Sequence, residues 1–188
     1  MRNVAPGDVW DHLAGFACAN DVGQQDFRET DGGSMLRVKG QDGFCPLGPG
    51  LVSGVDVRRS TLRTLLNGEV AQEGPLEEMN FPIDYLLADL CRHMTFLPGD
   101  VVLTGTPANS RPMEPGDVVE VEVDGLGRLT NTVAESPAPI HLVGHQPTDG
   151  DAVARVALGG DWLAARDRAR QAPQAAVTPG TDGGGRAG

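Results

Sequence analysis

One turn is written twice in this chain. Residues 98–102 and 115–119 both read Pro-Gly-Asp-Val-Val, and Thr104-Gly105-Thr106-Pro107 lies between them. Proline presets φ for the second position of a tight turn, and glycine accepts the positive φ of the third. The valine pair after each turn suits a strand. The spacing therefore predicts two strands with a Thr-Gly-Thr-Pro turn between them. Its hydroxyls and amides are available to a ligand, and a glycine there lets a substrate approach the main chain closely. A plain β-turn without a ligand is the simpler alternative at this point.

Length and composition narrow the class. A chain of 188 residues is long enough for one domain with its own core. Its 26 glycines and 14 prolines favour strands and turns over a helical bundle. The net charge of −11, with no basic run, argues against a nucleic-acid surface. No stretch reaches the length of apolar residues that a membrane span needs, and no secretory leader is visible at the start. Cys18, Cys45 and Cys91 are odd in number and widely spaced, so they suggest neither a disulfide framework nor a CxxC site. A reducing cytoplasm is the expected compartment.

Lys39 is the single lysine, against 14 arginines. A primary amine can lose its proton when buried, and guanidinium effectively cannot. The position is thus a candidate for chemistry or for point-charge contact with a carboxylate. A solvated surface charge is the alternative.

The pattern along the chain predicts a short helix over 7–14 and a strand from Phe16 to Val22. Next come a loop over Gln24–Ser34, an extended Met35–Lys39 and a short strand within Cys45–Gly54. Asn67-Gly68, between two apolar runs, marks a hairpin over 61–73, since both central residues of a type I′ turn need positive φ. Ile83, Leu86, Leu87, Leu90 and Met94 share one helical face, and Pro82 suits the start of that helix. Val118–Val123 alternates valine with glutamate, as a half-exposed strand does, and Asp124-Gly125 turns into a last strand through Leu129–Val133. Beyond it, 137–172 reads as a linker with a helix over Asp161–Gln171, and 173–188 as a disordered tail.

The segment 98–123 resembles the C-terminal signature of the fumarylacetoacetate hydrolase family. Three further stretches resemble that family in the same order. They are Ala19-Asn20-Asp21-Val22, the run Leu36–Lys39 with Asp42–Pro49, and Asn67-Gly68-Glu69-Val70. The resemblance runs from about residue 4 to about residue 134, so 1–136 is taken as the catalytic domain. Its nearest branch is that of 2-hydroxyhepta-2,4-diene-1,7-dioate isomerases and 5-oxopent-3-ene-1,2,5-tricarboxylate decarboxylases. The implied fold is α+β, a strand-rich mixed β-sheet rolled on itself with few short helices. The implied partners are a small dicarboxylate or keto-acid substrate and a second copy in a homodimer.

The resemblance also implies a site. Family members bind Mg²⁺ or Mn²⁺ through carboxylates, one of them matched by Asp21, and such a hard cation polarises a chelating keto acid. Lys39 would place positive charge beside the developing oxyanion. Gln25, Arg28, Gly105 and Thr106 would bind the substrate's carboxylate ends. Several positions depart from the pattern. The Glu-x-Glu metal pair of the family is expected upstream of this chain's first residues. Glu120 and Glu122 have the same spacing but fall in the terminal strand, where such acids face solvent. Gly23 stands where many members have serine, Gln25 where they have arginine, and Arg28 where hydrolytic members have glutamine. His12, His93, His141 and His145 read as surface or helix residues, and Cys45 as a buried structural thiol.

Two functions are consistent with these residues. One is a metal-dependent enzyme that decarboxylates, isomerises or hydrolyses small dicarbonyl acids in aromatic-compound catabolism. The other is a catalytically impaired scaffold that binds a carboxylate ligand or pairs with a full-length relative.

Overall fold

The structure, a computed structural model, describes residues 1–138, 140–148, 150, 151, 153 and 164. The helix expected over Asp161–Gln171 and the expected tail from 173 lie outside them, apart from Ala164.

Six strands form two antiparallel sheets among the described residues. Strands β1 (Phe16–Ala19) and β2 (Leu47–Val52) make a two-stranded sheet. Strands β3 (Thr61–Leu66), β4 (Glu69–Pro75), β5 (Val118–Val123) and β6 (Gly127–Thr132) make a four-stranded one in the order β4-β3-β5-β6. The small sheet packs against β5 and β6. The architecture is α+β with few short helices, as expected.

The alternation in β5 decides what is inside. Val119, Val121 and Val123 are buried, while Glu120 and Glu122 face the other side. The buried side meets Val9, Cys18, Val57, Leu126 and Leu129, together with Ile83, Leu87 and Ala88 from α3 (Ile83–His93). That helix has its apolar residues on one face, Pro82 at its N-cap, and Arg92 and His93 in its last turn, where positive charge suits the helix dipole. The outer face of the sheet carries a row of alternating charge. Glu73 on β4 opposes Arg63 on β3, Arg63 opposes Glu122 on β5, and Glu122 opposes Arg128 on β6. Cross-strand pairs of opposite sign favour this one register.

The Asn67-Gly68 hairpin forms as predicted, with φ of 53° and 83°. Asn67 does more than turn the chain. Its side chain accepts from the Val118 amide at 2.9 Å and donates to Asp117 at 2.8 Å, which fixes β5 beside the hairpin.

The two Pro-Gly-Asp turns are built alike. Gly99 and Gly116 have φ of 98° and 97°. Asp100 accepts from the Leu97 amide at 2.7 Å, and Asp117 from the Glu114 amide at 2.8 Å. The valine pairs beyond the two turns differ. Val118 opens β5, but Val101 and Val102 lie in no strand. The prediction of a strand after the first turn is therefore corrected. A valine pair forms a strand only beside a partner, and Val101 is 58 % exposed with no ladder among the described residues.

Three further expectations change. The 7–14 helix is a 3₁₀ turn over Pro6–His12. The predicted loop Gln24–Ser34 holds a 3₁₀ turn, Gln25–Phe27, and a short helix α1 (Arg28–Asp31). The predicted extended Met35–Lys39 is instead a short helix α2 (Leu36–Lys39) entered through a left-handed Met35. The last change has a cause that sequence periodicity does not record. The Asp31 carboxylate accepts the Arg37 and Val38 amides at the start of α2.

Candidate functional site

Strand β1 ends at Ala19, yet its hydrogen bonding continues past the end. The amides of Asn20, Val22 and Gln24 donate to the carbonyls of Pro46, Phe44 and Val38 at 3.1, 3.0 and 3.0 Å. The segment 20–24 is thus laid against α2 and the chain just beyond it. Gln41 reinforces this, donating to Gln24 at 3.0 Å and to the Arg37 carbonyl at 2.7 Å.

This arrangement brings Asp21 to Lys39. The ammonium lies 3.0 Å from Asp21 Oδ2 and donates to the Asp21 carbonyl at 2.8 Å. Both side chains keep contact with solvent, at 30 % exposure for Lys39 and 49 % for Asp21. Ammonium has three N–H donors and the Asp21 carbonyl takes one, so donors are left for a ligand. Gly23 makes room for the pair. A Cβ there would sit 3.1 Å from Lys39 Nζ and 2.8 Å from Gln25 Nε2. Gln25 therefore stands beside the lysine, and Arg28 donates to Gln25 Oε1 at 3.1 Å. Four of the six predicted site residues, Asp21, Gln25, Arg28 and Lys39, form one neighbourhood.

The other two stand on a different edge. Gly105 and Thr106 are exposed, and their turn is held against β4. Gln72 Nε2 donates to the Pro107 carbonyl at 2.6 Å, Thr106 Oγ1 reaches Gln72 Oε1 at 3.5 Å, and Gly74 lies under the Pro107 ring. Strand β4 is one edge of the larger sheet, whereas β1 and β2 pack toward β5 and β6. No hydrogen bond joins this turn to Asp21 or Lys39 among the described residues.

Sequence reasoning missed Asp31, Gln41 and Gln72. The Asp31 side chain is shielded from solvent and accepts from Arg37 Nη1 at 2.9 Å, from the Val38 amide at 3.0 Å, and from the Arg37 amide. Burial pushes its pKa up, but the Val38 amide, the Arg37 guanidinium and the Arg37 amide outweigh that, so its carboxyl is held below the ordinary range. No spacing rule marks an aspartate that caps a helix across a Gly-Gly turn. Gln72 carried no periodic signal either, because burial along β4 does not alternate and its register shifts beside Gln72.

Glu120 and Glu122 are not a free pair. Arg128 lies 3.2 Å from Glu120 and is also bound to Glu122. Cys45 is exposed, against the expectation of a buried thiol, while Cys18 and Cys91 are buried. The four expected surface histidines are exposed.

The metal expectation can be tested against the donor set. Among the described residues, no group of three or more His, Cys, Asp or Glu is placed to hold a metal ion. Asp21 offers one carboxylate, and Lys39 already neutralises it. Mg²⁺ usually takes more than one anionic group from protein and substrate together. These residues alone do not fit a resident Mg²⁺ or Mn²⁺.

With strands, turns and the Asp21–Lys39 pair in place, comparison with known proteins settles the class. The fumarylacetoacetate hydrolase C-terminal family model matches residues 1–134, and the chain belongs to that family. The 4-hydroxyphenylacetate degradation bifunctional isomerase/decarboxylase of Escherichia coli is 40 % identical over 135 residues, which are 70 % of this chain and 32 % of that protein. The oxaloacetate tautomerase FAHD2A of Homo sapiens is 37 % identical over 143 residues, 70 % of this chain and 46 % of that one. The crystal structure of 5-carboxymethyl-2-hydroxymuconate delta-isomerase from Mycobacterium smegmatis superimposes with a TM-score of 0.71 at 39 % identity, covering 73 % of this chain and 55 % of that one. The chain spans between a third and a little over half of these relatives' own length. No helix among the described residues is long and apolar enough to cross a membrane.

Proposed function

We propose that this chain is the keto-acid-binding part of an enzyme that forms and protonates enolates of small 2-keto dicarboxylic acids. The observation that carries the reading is the Lys39 ammonium, fixed by Asp21 through an ion pair and one hydrogen bond, with N–H donors left over. When a proton leaves the carbon beside a carbonyl, or a carboxylate leaves as CO₂, negative charge gathers on the carbonyl oxygen. A positioned ammonium donor lowers the energy of that charge, and the gain is larger where water is partly excluded. Gln25, beside the lysine, and Arg28, bonded to Gln25, suit one carboxylate of the substrate. Relatives named as an isomerase/decarboxylase, a delta-isomerase and a tautomerase all point to the same enolate step.

Enzymes of this family commonly use a divalent metal, and the reading includes Mg²⁺ or Mn²⁺ completed by ligands beyond Asp21. It also includes Gly105 and Thr106 as binders of a second carboxylate, a homodimer, a cytoplasmic setting and a role in aromatic-compound breakdown. The pairing of Asp21 with Lys39 favours a second reading as well. A carboxylate already neutralised suits a scaffold that binds a carboxylate ligand without turning it over.

Exchange of the C3 protons of a 2-keto dicarboxylate for deuterium, monitored by proton NMR with and without Mg²⁺, separates the two. Exchange above the buffer rate, lost in Lys39→Met, supports the enzyme. Saturable binding of the same acids with no exchange would leave the scaffold.

A further inference from the structure

We propose that Asp31 is a positioning residue for the Lys39 ammonium and acts through the short helix that carries it. The inference rests on Lys39 being the charge that meets the substrate, and it names what sets that charge in place.

Three observations converge on it. First, the Asp31 side chain has no exposure to solvent, although it ends the short polar helix α1. Its oxygens are all used on α2. Oδ2 takes the amides of Arg37 and Val38, and Oδ1 takes the Arg37 guanidinium. Second, the chain enters α2 through Met35 at φ 56°, a conformation that a residue with a side chain rarely adopts. Such a backbone persists only where its surroundings hold it. The next bond along is that of the Lys39 amide to the Met35 carbonyl, at 3.0 Å. The amides of residues 37, 38 and 39 are therefore all fixed, two of them by one carboxylate. Third, Val38 is fully buried, and its carbonyl accepts the Gln24 amide. The residue that Asp31 grips thus also holds the segment delivering Asp21.

These contacts form a chain. Asp31 fixes the Arg37 and Val38 amides, those fix the direction in which Lys39 leaves the helix, and the 20–24 segment meets it there. Charge-assisted bonds to backbone amides are shorter and stronger than neutral ones, which is why a carboxylate serves here better than a hydroxyl.

The single lysine makes the test direct. The full chain labelled with ¹³C at lysine Cε gives one lysine signal, from Lys39. Asp21→Ala supplies the position of that signal when the pair is broken. Asp31→Ala is expected to move the signal toward that position, while the amide spectrum of α3 and of the four-stranded sheet stays in place. Asp31→Asn keeps an oxygen for the amides and is expected to restore most of the shift. Arg37→Met retains both backbone bonds and leaves the signal where it is. In the exchange assay, Asp31→Ala is expected to lose roughly 100-fold in kcat with little change in KM, the cost of an ångström-scale misplacement. An unmoved lysine signal in folded Asp31→Ala overturns the proposal. If that variant does not fold, wild-type hydrogen exchange decides. Protected Arg37 and Val38 amides support the role, and exchange as fast as in an open loop refutes it. A shifted signal with no turnover in any variant keeps the positioning role and removes the enolate reading instead.

Discussion

The Lys39 ammonium meets one residue, Asp21, in two ways: it lies 3.0 Å from the carboxylate as an ion pair and donates an N–H to the carbonyl at 2.8 Å. Side-chain charge and main-chain shape are thereby satisfied at the same point. The ammonium cannot swing away without losing both.

That geometry predicts a separation of activity from stability. Exposed ion pairs contribute only ~0–1 kcal/mol. Lys39→Met should therefore keep a melting temperature close to that of the wild type while abolishing C3 proton exchange. Thermal denaturation and the deuterium assay on the same preparation check this. Unchanged exchange would remove Lys39 from the reaction.

Gly23 gives the second prediction. A Cβ at that position would crowd Gln25 Nε2 and Lys39 Nζ, at 2.8 and 3.1 Å. Both are the ends of flexible side chains, so they can yield with a stability change of only about 0.5 kcal/mol. Yielding, however, means leaving the site. Gly23→Ala should keep its urea midpoint and weaken binding of a 2-keto dicarboxylate, read by calorimetry. A large drop in stability with unchanged affinity would show that Gly23 serves packing alone.

Much of the sheet was legible because its signals are local. Asn67-Gly68 needs positive φ at two adjacent residues, and that sequence supplies it. The valine–glutamate alternation of β5 assigns inside and outside at once. The repeated Pro-Gly-Asp-Val-Val was legible as a turn and misleading as a strand. Both turns form, but the Val118–Val119 pair finds β3 and β6 beside it, whereas Val101 has no ladder partner among the described residues. Strand formation depends on a neighbour that the five residues do not encode. The site divides in the same way. Asp21 and Lys39 could be picked out singly, and the structure pairs them. Asp31 could not, because its role rests on three bonds made across a tight turn.

Asp31 also sets a pH limit. Its folded-state pKa lies below the ordinary carboxylate value of about 3.8. A group depressed in this way binds protons more readily when unfolded, so its contribution is complete above the ordinary value. It fades as pH falls from there through the folded pKa. Asp31→Asn should therefore be less stable than the wild type near neutrality, and the gap should close as the solution becomes more acidic than pH 3.8. Melting temperatures of both proteins across that interval test the point. A gap that stays constant into strong acid would mean that the carboxylate's charge is not what holds α2.

The last prediction concerns the metal. Asp21 is the one carboxylate paired with Lys39 among the described residues, and Arg128 binds both Glu120 and Glu122. A cation added to this chain must compete with the Lys39 ammonium for Asp21, and one carboxylate with waters holds such an ion only weakly, near the ~millimolar end of biological sites. Mn²⁺ is paramagnetic and broadens signals close to it. Millimolar Mn²⁺ should thus broaden the single lysine Cε signal in the wild type and spare it in Asp21→Asn. The double variant Glu120→Gln, Glu122→Gln should behave as the wild type does. Broadening lost in the double variant, and kept in Asp21→Asn, would move the ion to the outer face of β5 and take it away from the lysine.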